Sequence, residues 1–111
     1  MTTGLTYRYK LYSRNAIYRS AQSNIEVVLI GTVPGKPSKP AYVSSSVALT
    51  NIKVSWIAPS YTGGSDITSY YVWIDDGAGT WPVTPITHNT LSSLERTFSA
   101  LTVGTTYAIK V

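Results

Sequence analysis

Few residues of this chain have the types and spacing that catalysis requires. His88 is the single histidine and stands in the polar segment THNT at 87–90. As a general base it would have to activate a serine, but no G-x-S-x-G segment is present to supply a nucleophile. We therefore expect His88 to be a solvated loop residue, and we expect the chain not to be an enzyme.

The acidic pair Asp75 and Asp76, followed by Gly77, could offer carboxylate oxygens to a calcium ion. A calcium loop of the EF-hand kind needs further oxygen ligands at alternate positions and a late glutamate, and neither follows here. The chain has no cysteine, so disulfides and thiolate chemistry are excluded. We expect a turn at 75–77, and neither a metal nor a cofactor.

Aromatic and basic residues alternate near the N-terminus. Tyr7 and Tyr9 interleave with cations, Tyr18 is followed by Arg19, and six of the nine lysines and arginines lie within residues 1–39. Such residues could stack on bases and contact phosphates. Period-two alternation, however, directs Tyr7 and Tyr9 away from the cations, as in a strand with one solvated face. We do not expect a nucleic-acid partner.

A second group of aromatic residues could contact a ligand. Tyr71 and Trp73 alternate with Tyr70 and Val72, so the two pairs occupy opposite faces of a strand. An exposed aromatic pair could bind a carbohydrate or another protein, or could cover the sheet. Trp81 could have any of these same roles. We also include Tyr18 and Arg19, which lie in the loop at 15–21, in the possible interaction surface.

The elements that position these residues are strands. Hydrophobic residues make up 43% of the chain, and 111 residues suffice for one domain with a modest core. Thr, Ser, Val, Ile and Tyr are frequent, and helical periodicity is absent. Strands are predicted at 5–12, 25–30, 42–44, 52–56, 70–74, 97–100 and 105–111, with a short edge strand after Trp81. Many short strands predict an all-β sandwich.

Residues 31–39 form the clearest linker. Prolines and glycines in GTVPGKPSK exclude a helix and disfavour a central strand. The linker separates an N-terminal hairpin at 1–30 from the larger segment at 40–111. No run of apolar residues approaches the roughly 20 that a transmembrane helix needs, and we expect no membrane insertion.

The chain ends by repeating its beginning. Residues 1–11 read MTTGLTYRYKL and residues 101–111 read LTVGTTYAIKV, and they align without a gap at an offset of 100. A period of that size is one domain. We therefore expect one period of a domain array whose ends do not coincide with the domain boundaries.

Residues 34–111 resemble a fibronectin type III domain. The matching segments are Pro37 and Pro40, VSW at 54–56 with Pro59, GGSDITSY at 63–70, and LTVGTTY at 101–107. Residues 1–30 resemble the end of a preceding copy, although Tyr18 stands where the family carries glycine. The resemblance implies an immunoglobulin-like sandwich with the strand order F-G-linker-A-B-C-C′-E-F, in which the second copy lacks strand G.

The resemblance also assigns structural roles. Trp56 is expected to be the buried tryptophan of strand B, and Leu101 belongs to the motif that leads into strand F. Tyr7 and Tyr107 are expected to form tyrosine corners, in which the hydroxyl bonds to upstream backbone. An extracellular or cell-surface location is implied by the resemblance alone.

Two arrangements could supply the missing strand. The hairpin could fold onto its own chain as a circular permutant. The resemblance implies that strand G ends and strand A starts at opposite ends of the sandwich, so residues 31–38 would have to span its long axis. These residues reach at most about 26–29 Å, and an eight-residue strand is already about 27 Å long, so the span is barely possible. The hairpin could instead enter another copy by domain swapping, which gives a dimer or a larger assembly. We favour exchange, with the chain itself as partner.

The expected function is that of a non-catalytic structural spacer or protein-interaction module from a tandem extracellular array, with a protein partner that the sequence does not identify. The alternative is a carbohydrate-binding accessory module of a secreted enzyme. The interaction role rests on family resemblance, because a fold of this kind does not by itself define a function.

Overall fold

Every regular element that the structure describes is a β-strand. The computed structural model describes residues 1–43 and 49–111. The strands are β1 (Thr6–Tyr9), β2 (Glu26–Leu29), β3 (Ala41–Tyr42), β4 (Ile52–Ser55), β5 (Tyr70–Ile74), β6 (Ile86–His88), β7 (Glu95–Phe98) and β8 (Ile109–Lys110). The strand predicted at 42–44 begins at Ala41, and Ser44 lies outside the described residues. In the described ranges there is no helix that is long and apolar enough to cross a membrane.

The chain divides into two compact units. Unit 1 comprises Met1–Pro34 together with Tyr61–Asp66, and unit 2 comprises Gly35–Ser60 together with Ile67–Val111. In unit 1, β1 and β2 pair antiparallel as a sheet of their own. A two-stranded sheet is marginally stable by itself, so a further element that covers its faces would stabilise it.

The β1–β2 register mixes apolar and polar side chains on both faces of the hairpin. Tyr7 lies opposite Val28, and Arg8 lies opposite Val27. Because directly opposite residues share a face, Arg8 and Val27 are on the same side of the hairpin. All four residues of β2 are exposed. The hairpin therefore leaves apolar side chains uncovered on both sides.

A close backbone approach within unit 1 requires two glycines. Thr32 N donates to Gly63 O at 2.9 Å. A Cβ on Gly64 would lie 2.6 Å from Gly4 N, and the φ angles of Gly63 and Gly64 are +79° and +88°. A larger residue at either position would be strained, because its Cβ would collide with nearby backbone atoms and because the backbone is left-handed.

Unit 2 contains two three-stranded antiparallel sheets. Their strand orders are β3-β4-β7 and β6-β5-β8. The first sheet places Val54 opposite Arg96, and the second places Trp73 opposite Lys110. β5 is thus the central strand of the second sheet, and one of its two edge strands is β8, which carries the C-terminal copy of the repeated segment.

Both sheets of unit 2 contribute to one core. Its buried side chains are Val54, Trp56, Tyr70, Val72 and Phe98. The rings of Trp56 and Tyr70 meet edge to face with centroids 5.7 Å apart, a favoured aromatic geometry. The alternation predicted at 52–56 and 70–74 is confirmed, as is the all-β, sandwich-like class.

Several strands are shorter than, or displaced from, their predicted bounds. The strand predicted at 97–100 is β7, which spans Glu95–Phe98, and the strand predicted at 105–111 contains only the two residues of β8. Ala100 has a φ of 59°. A left-handed alanine cannot continue an extended strand, so β7 ends before it.

Candidate functional site

His88 is a buried structural residue, and the expectation of a solvated loop histidine is wrong. It is the last residue of β6, pairs with Tyr70 and is only 7% exposed. Its Nε2 lies 2.9 Å from Thr90 O and 2.8 Å from Ser93 O. Both partners are carbonyl acceptors, so Nε2 carries a proton and donates it. That nitrogen therefore ties the turn after β6 and is not free to accept a proton from a nucleophile.

The acidic pair organises the loop that follows β5. Asp75 Oδ1 accepts from Ala108 N at 2.8 Å, and Asp75 N donates to Ala108 O at 3.0 Å. Asp76 Oδ1 accepts from Ala78 N at 2.8 Å and from Thr80 N at 3.0 Å. These carboxylates are hydrogen-bonded to backbone amides, which is a structural use of both residues.

Backbone amides in this loop stabilise the ionised form of Asp76. The amide of Thr80, followed by that of Ala78, lowers the pKa of Asp76 below its ordinary 3.8 because both amides stabilise the ionised carboxylate. Within the part of the chain that the structure describes, no three histidine or acidic side chains come together as metal ligands.

The two copies of the repeated segment have the same local geometry. Tyr7 Oη accepts from Thr2 N at 2.6 Å, and Tyr107 Oη accepts from Thr102 N at 3.1 Å. The glycines between these partners, at positions 4 and 104, have φ angles of 81° and 83°. Each copy thus forms a turn closed by its tyrosine hydroxyl onto backbone five residues upstream.

The surroundings of the two copies differ. In unit 2, Ile109 and Val111 pack against the core, as does Leu101. The equivalent residues in unit 1 are Tyr9 and Leu11, which are 38% and 75% exposed. The same sequence pattern is covered in one unit and uncovered in the other.

Three of the predicted interaction residues come together on unit 2 around a lysine that sequence reasoning missed. The rings of Tyr71 and Trp73 lie 6.3 Å apart. Lys110 Nζ lies 5.2 Å from the Trp73 ring centroid and 4.2 Å from that of Trp81. Lys110 reaches both rings because β8 places it directly opposite Trp73. We call Tyr71, Trp73, Trp81 and Lys110 the aromatic–lysine cluster.

The aromatic–lysine cluster has one open ring and two that meet the lysine. Tyr71 is 52% exposed. Cation–π contacts of this kind contribute about 0.5–1 kcal/mol each at exposed sites. A cavity of about 260 Å³ lies beside Trp81 and is also lined by Asp76 and Thr80. An aromatic ring next to a carboxylate can offer both stacking and hydrogen bonding to a polar ligand.

Tyr18 and Arg19 belong to unit 1, whereas the aromatic–lysine cluster belongs to unit 2. Asn15 Oδ1 accepts from Ile17 N at 2.9 Å and from Tyr18 N at 2.8 Å, which fixes the loop. Tyr18 is 78% exposed. The guanidinium of Arg19 lies 4.5 Å from the ring centroid of Tyr12. Arg19 is therefore occupied by a tyrosine of its own hairpin, while Tyr18 projects into solvent.

No model of a known protein family matches the chain. A Kelch domain-containing protein from Saccharolobus solfataricus is similar, with 26% identity over 106 residues. The match covers 96% of this chain but only 14% of the length of that protein. At this identity and coverage the similarity does not define a family for the chain.

Proposed function

We propose that the chain is a non-catalytic structural spacer or protein-interaction module from a tandem array of fibronectin type III-like repeats. The observation that carries this proposal is the recurrence, 100 positions apart, of the same turn with the same tyrosine-to-threonine hydrogen bond. A repeated corner at a one-domain period is expected where one repeat follows another.

The sheets of unit 2 support the same proposal. If β3, β4 and β7 are strands A, B and E, and β6, β5 and β8 are strands C′, C and F, then both sheet orders agree with the fibronectin type III arrangement. The β1–β2 hairpin then corresponds to strands F and G of the preceding repeat. Trp56 lies in the core immediately after β4, where the resemblance expects the tryptophan of strand B.

A concatenated chain tests the spacer role. Residues 1–100 are repeated two, three and four times in frame, and each product ends with residues 101–111. If each period is one repeat, small-angle scattering shows a maximum dimension that grows by about 30 Å per added period, the diameter of a 100-residue domain.

A matched control joins whole 111-residue chains end to end, so that each junction carries the repeated segment twice. The duplicated segment interrupts the 100-residue period at each junction, so in this control the maximum dimension should no longer grow by a regular amount per added chain. A maximum dimension that stays nearly constant as in-frame periods are added would contradict a spacer, because it would indicate collapse into one globule.

The second candidate function is carbohydrate binding, and the aromatic–lysine cluster is the observation that favours it. Tyr71 offers an exposed ring, and Trp81 lines a cavity together with Asp76. Against this role, Lys110 lies over the rings of both Trp73 and Trp81, where it would compete with a stacked sugar. We therefore place carbohydrate binding second.

Tryptophan fluorescence titration with a panel of oligosaccharides tests the second function. Binding that is lost in both Tyr71→Ala and Trp81→Ala, and retained in the unit 1 variant Tyr18→Ala, would establish it. Absence of any saturable change at millimolar oligosaccharide would reject it.

A further inference from the structure

The free edge of β8 and the strand β2 have matching hydrogen-bonding patterns. In unit 1, Leu5 O accepts from Ile30 N at 3.1 Å and Leu11 O accepts from Ser23 N at 2.8 Å. Adjacent residues of a strand direct their backbone groups to opposite sides, so the odd-numbered residues of β1 face β2. The even-numbered residues of β1 face the other edge.

The C-terminal copy uses the opposite edge. Ala108 O accepts from Asp75 N at 3.0 Å, so the even-numbered residues of this segment face β5. The backbone groups of Tyr107, Ile109 and Val111 therefore point to the far edge. No described strand pairs with that edge, because β8 is the last strand of its sheet. An unpaired edge is a template for a further strand.

The offset of 100 between the copies gives the register of that further strand. Tyr9 lies opposite Glu26 and Arg8 lies opposite Val27. The geometry points to a strand exchange in which β2 of a second copy of this chain pairs with β8, with Ile109 opposite Glu26 and Ala108 opposite Val27. Reciprocal exchange gives a closed two-fold dimer, in which each copy supplies its β2 to the other.

In the exchanged dimer β2 still has a strand partner. It pairs with β8 of the other copy instead of β1, and the segment that contains β8 has the same sequence pattern, the same turn and the same tyrosine hydrogen bond. Exchange would place β2 in a larger sheet: all four residues of β2 are exposed in its two-stranded sheet, whereas β8 belongs to a three-stranded sheet that covers a core. The inference rests on this repeat geometry and not on the spacer role, so each can fail without the other.

Engineered disulfides test the register, because the chain has no native cysteine to interfere. Ala108 and Val27 would form a non-hydrogen-bonded pair, for which Cα atoms are about 4.5 Å apart, within the range that a disulfide accepts. Under mild oxidation the double variant Val27→Cys/Ala108→Cys is expected to give a covalent dimer as the main product. A product that is mainly intrachain, or no cross-link, would overturn the proposal.

The matched control locks the hairpin instead. Arg8 and Val27 are direct partners within one chain, so oxidised Arg8→Cys/Val27→Cys holds β2 on β1. This variant should be monomeric when oxidised and dimeric after reduction, as measured by light scattering. An oxidised form that dimerises as readily as the reduced form would show that another surface drives association, and would overturn the exchange.

Discussion

The valine at the centre of β5 should contribute more to stability than any exposed residue of the same kind. Val72 is 0% exposed and belongs to the core that both sheets of unit 2 share. Val83 is 98% exposed. Val72→Ala and Val83→Ala remove the same atoms, and only the environment differs between them.

The expected cost of Val72→Ala follows from its burial. Two buried carbons are lost, at about 0.8 kcal/mol each. The space they leave adds about 1 kcal/mol if the neighbours relax only in part. We expect the free energy of unfolding to fall by about 2–3 kcal/mol, which is a large share of the roughly 5–15 kcal/mol of a typical domain. Val83→Ala should change it by less than about 0.5 kcal/mol.

Urea unfolding followed by tryptophan fluorescence measures both variants, since Trp56 lies in the same core. For a domain of this size, the loss at Val72 corresponds to a melting temperature lower by about 10 °C or more. Equal midpoints for Val72→Ala and Val83→Ala would refute the assignment of the core to the alternating faces of β4 and β5.

Three further substitutions test individual contacts. Tyr107→Phe removes the hydroxyl that accepts from Thr102 N and should lower the stability of unit 2 by about 0.5–1.5 kcal/mol; no change in the urea midpoint would contradict a role for that bond. Gly64→Ala strains a left-handed backbone against Gly4 and should speed amide exchange at Thr32; unchanged exchange would argue against the close approach. Because the pKa of Asp76 is lowered on folding, the stability this carboxylate contributes is present above pH 3.8 and is lost as the pH falls through its folded value. Asp76→Asn should therefore flatten the decline in melting temperature between pH 5 and pH 2, and a curve that remains as steep as that of the parent chain would contradict this.

Strand positions and the core could be predicted because they depend on local pattern. The alternation of Ile52, Val54 and Trp56 with polar residues marks one buried face, and Tyr70 and Val72 mark the other. Burial follows directly from this period of two. Exact strand ends could not be predicted in the same way, because they depend on backbone conformations such as the left-handed Ala100.

The environment of single polar or charged residues could not be predicted from neighbours in the sequence. His88 looked solvated because polar residues surround it, yet pairing with Tyr70 carries it into the core against Trp56. Lys110 was not identified because its place between two tryptophans depends on the register of β8 with β5. In both cases cross-strand pairing between distant segments decided the outcome.

The register of β1 with β2 could not be predicted from the sequence either. Alternation within β1 separates Tyr7 from Arg8, but it carries no information about which face of β2 lies beside them. The register that places Val27 next to Arg8 leaves apolar side chains exposed on both faces. It is this exposure, together with the free edge of β8, that makes association between copies the main expectation for the isolated chain.

The absolute mass in solution tests that expectation most directly. Light scattering after size exclusion, across a dilution series, should show a species of twice the 12.1 kDa chain mass at the higher concentrations, because exchange adds a fourth strand to each β6-β5-β8 sheet. A species that stays at 12.1 kDa over the whole series would contradict strand exchange between copies.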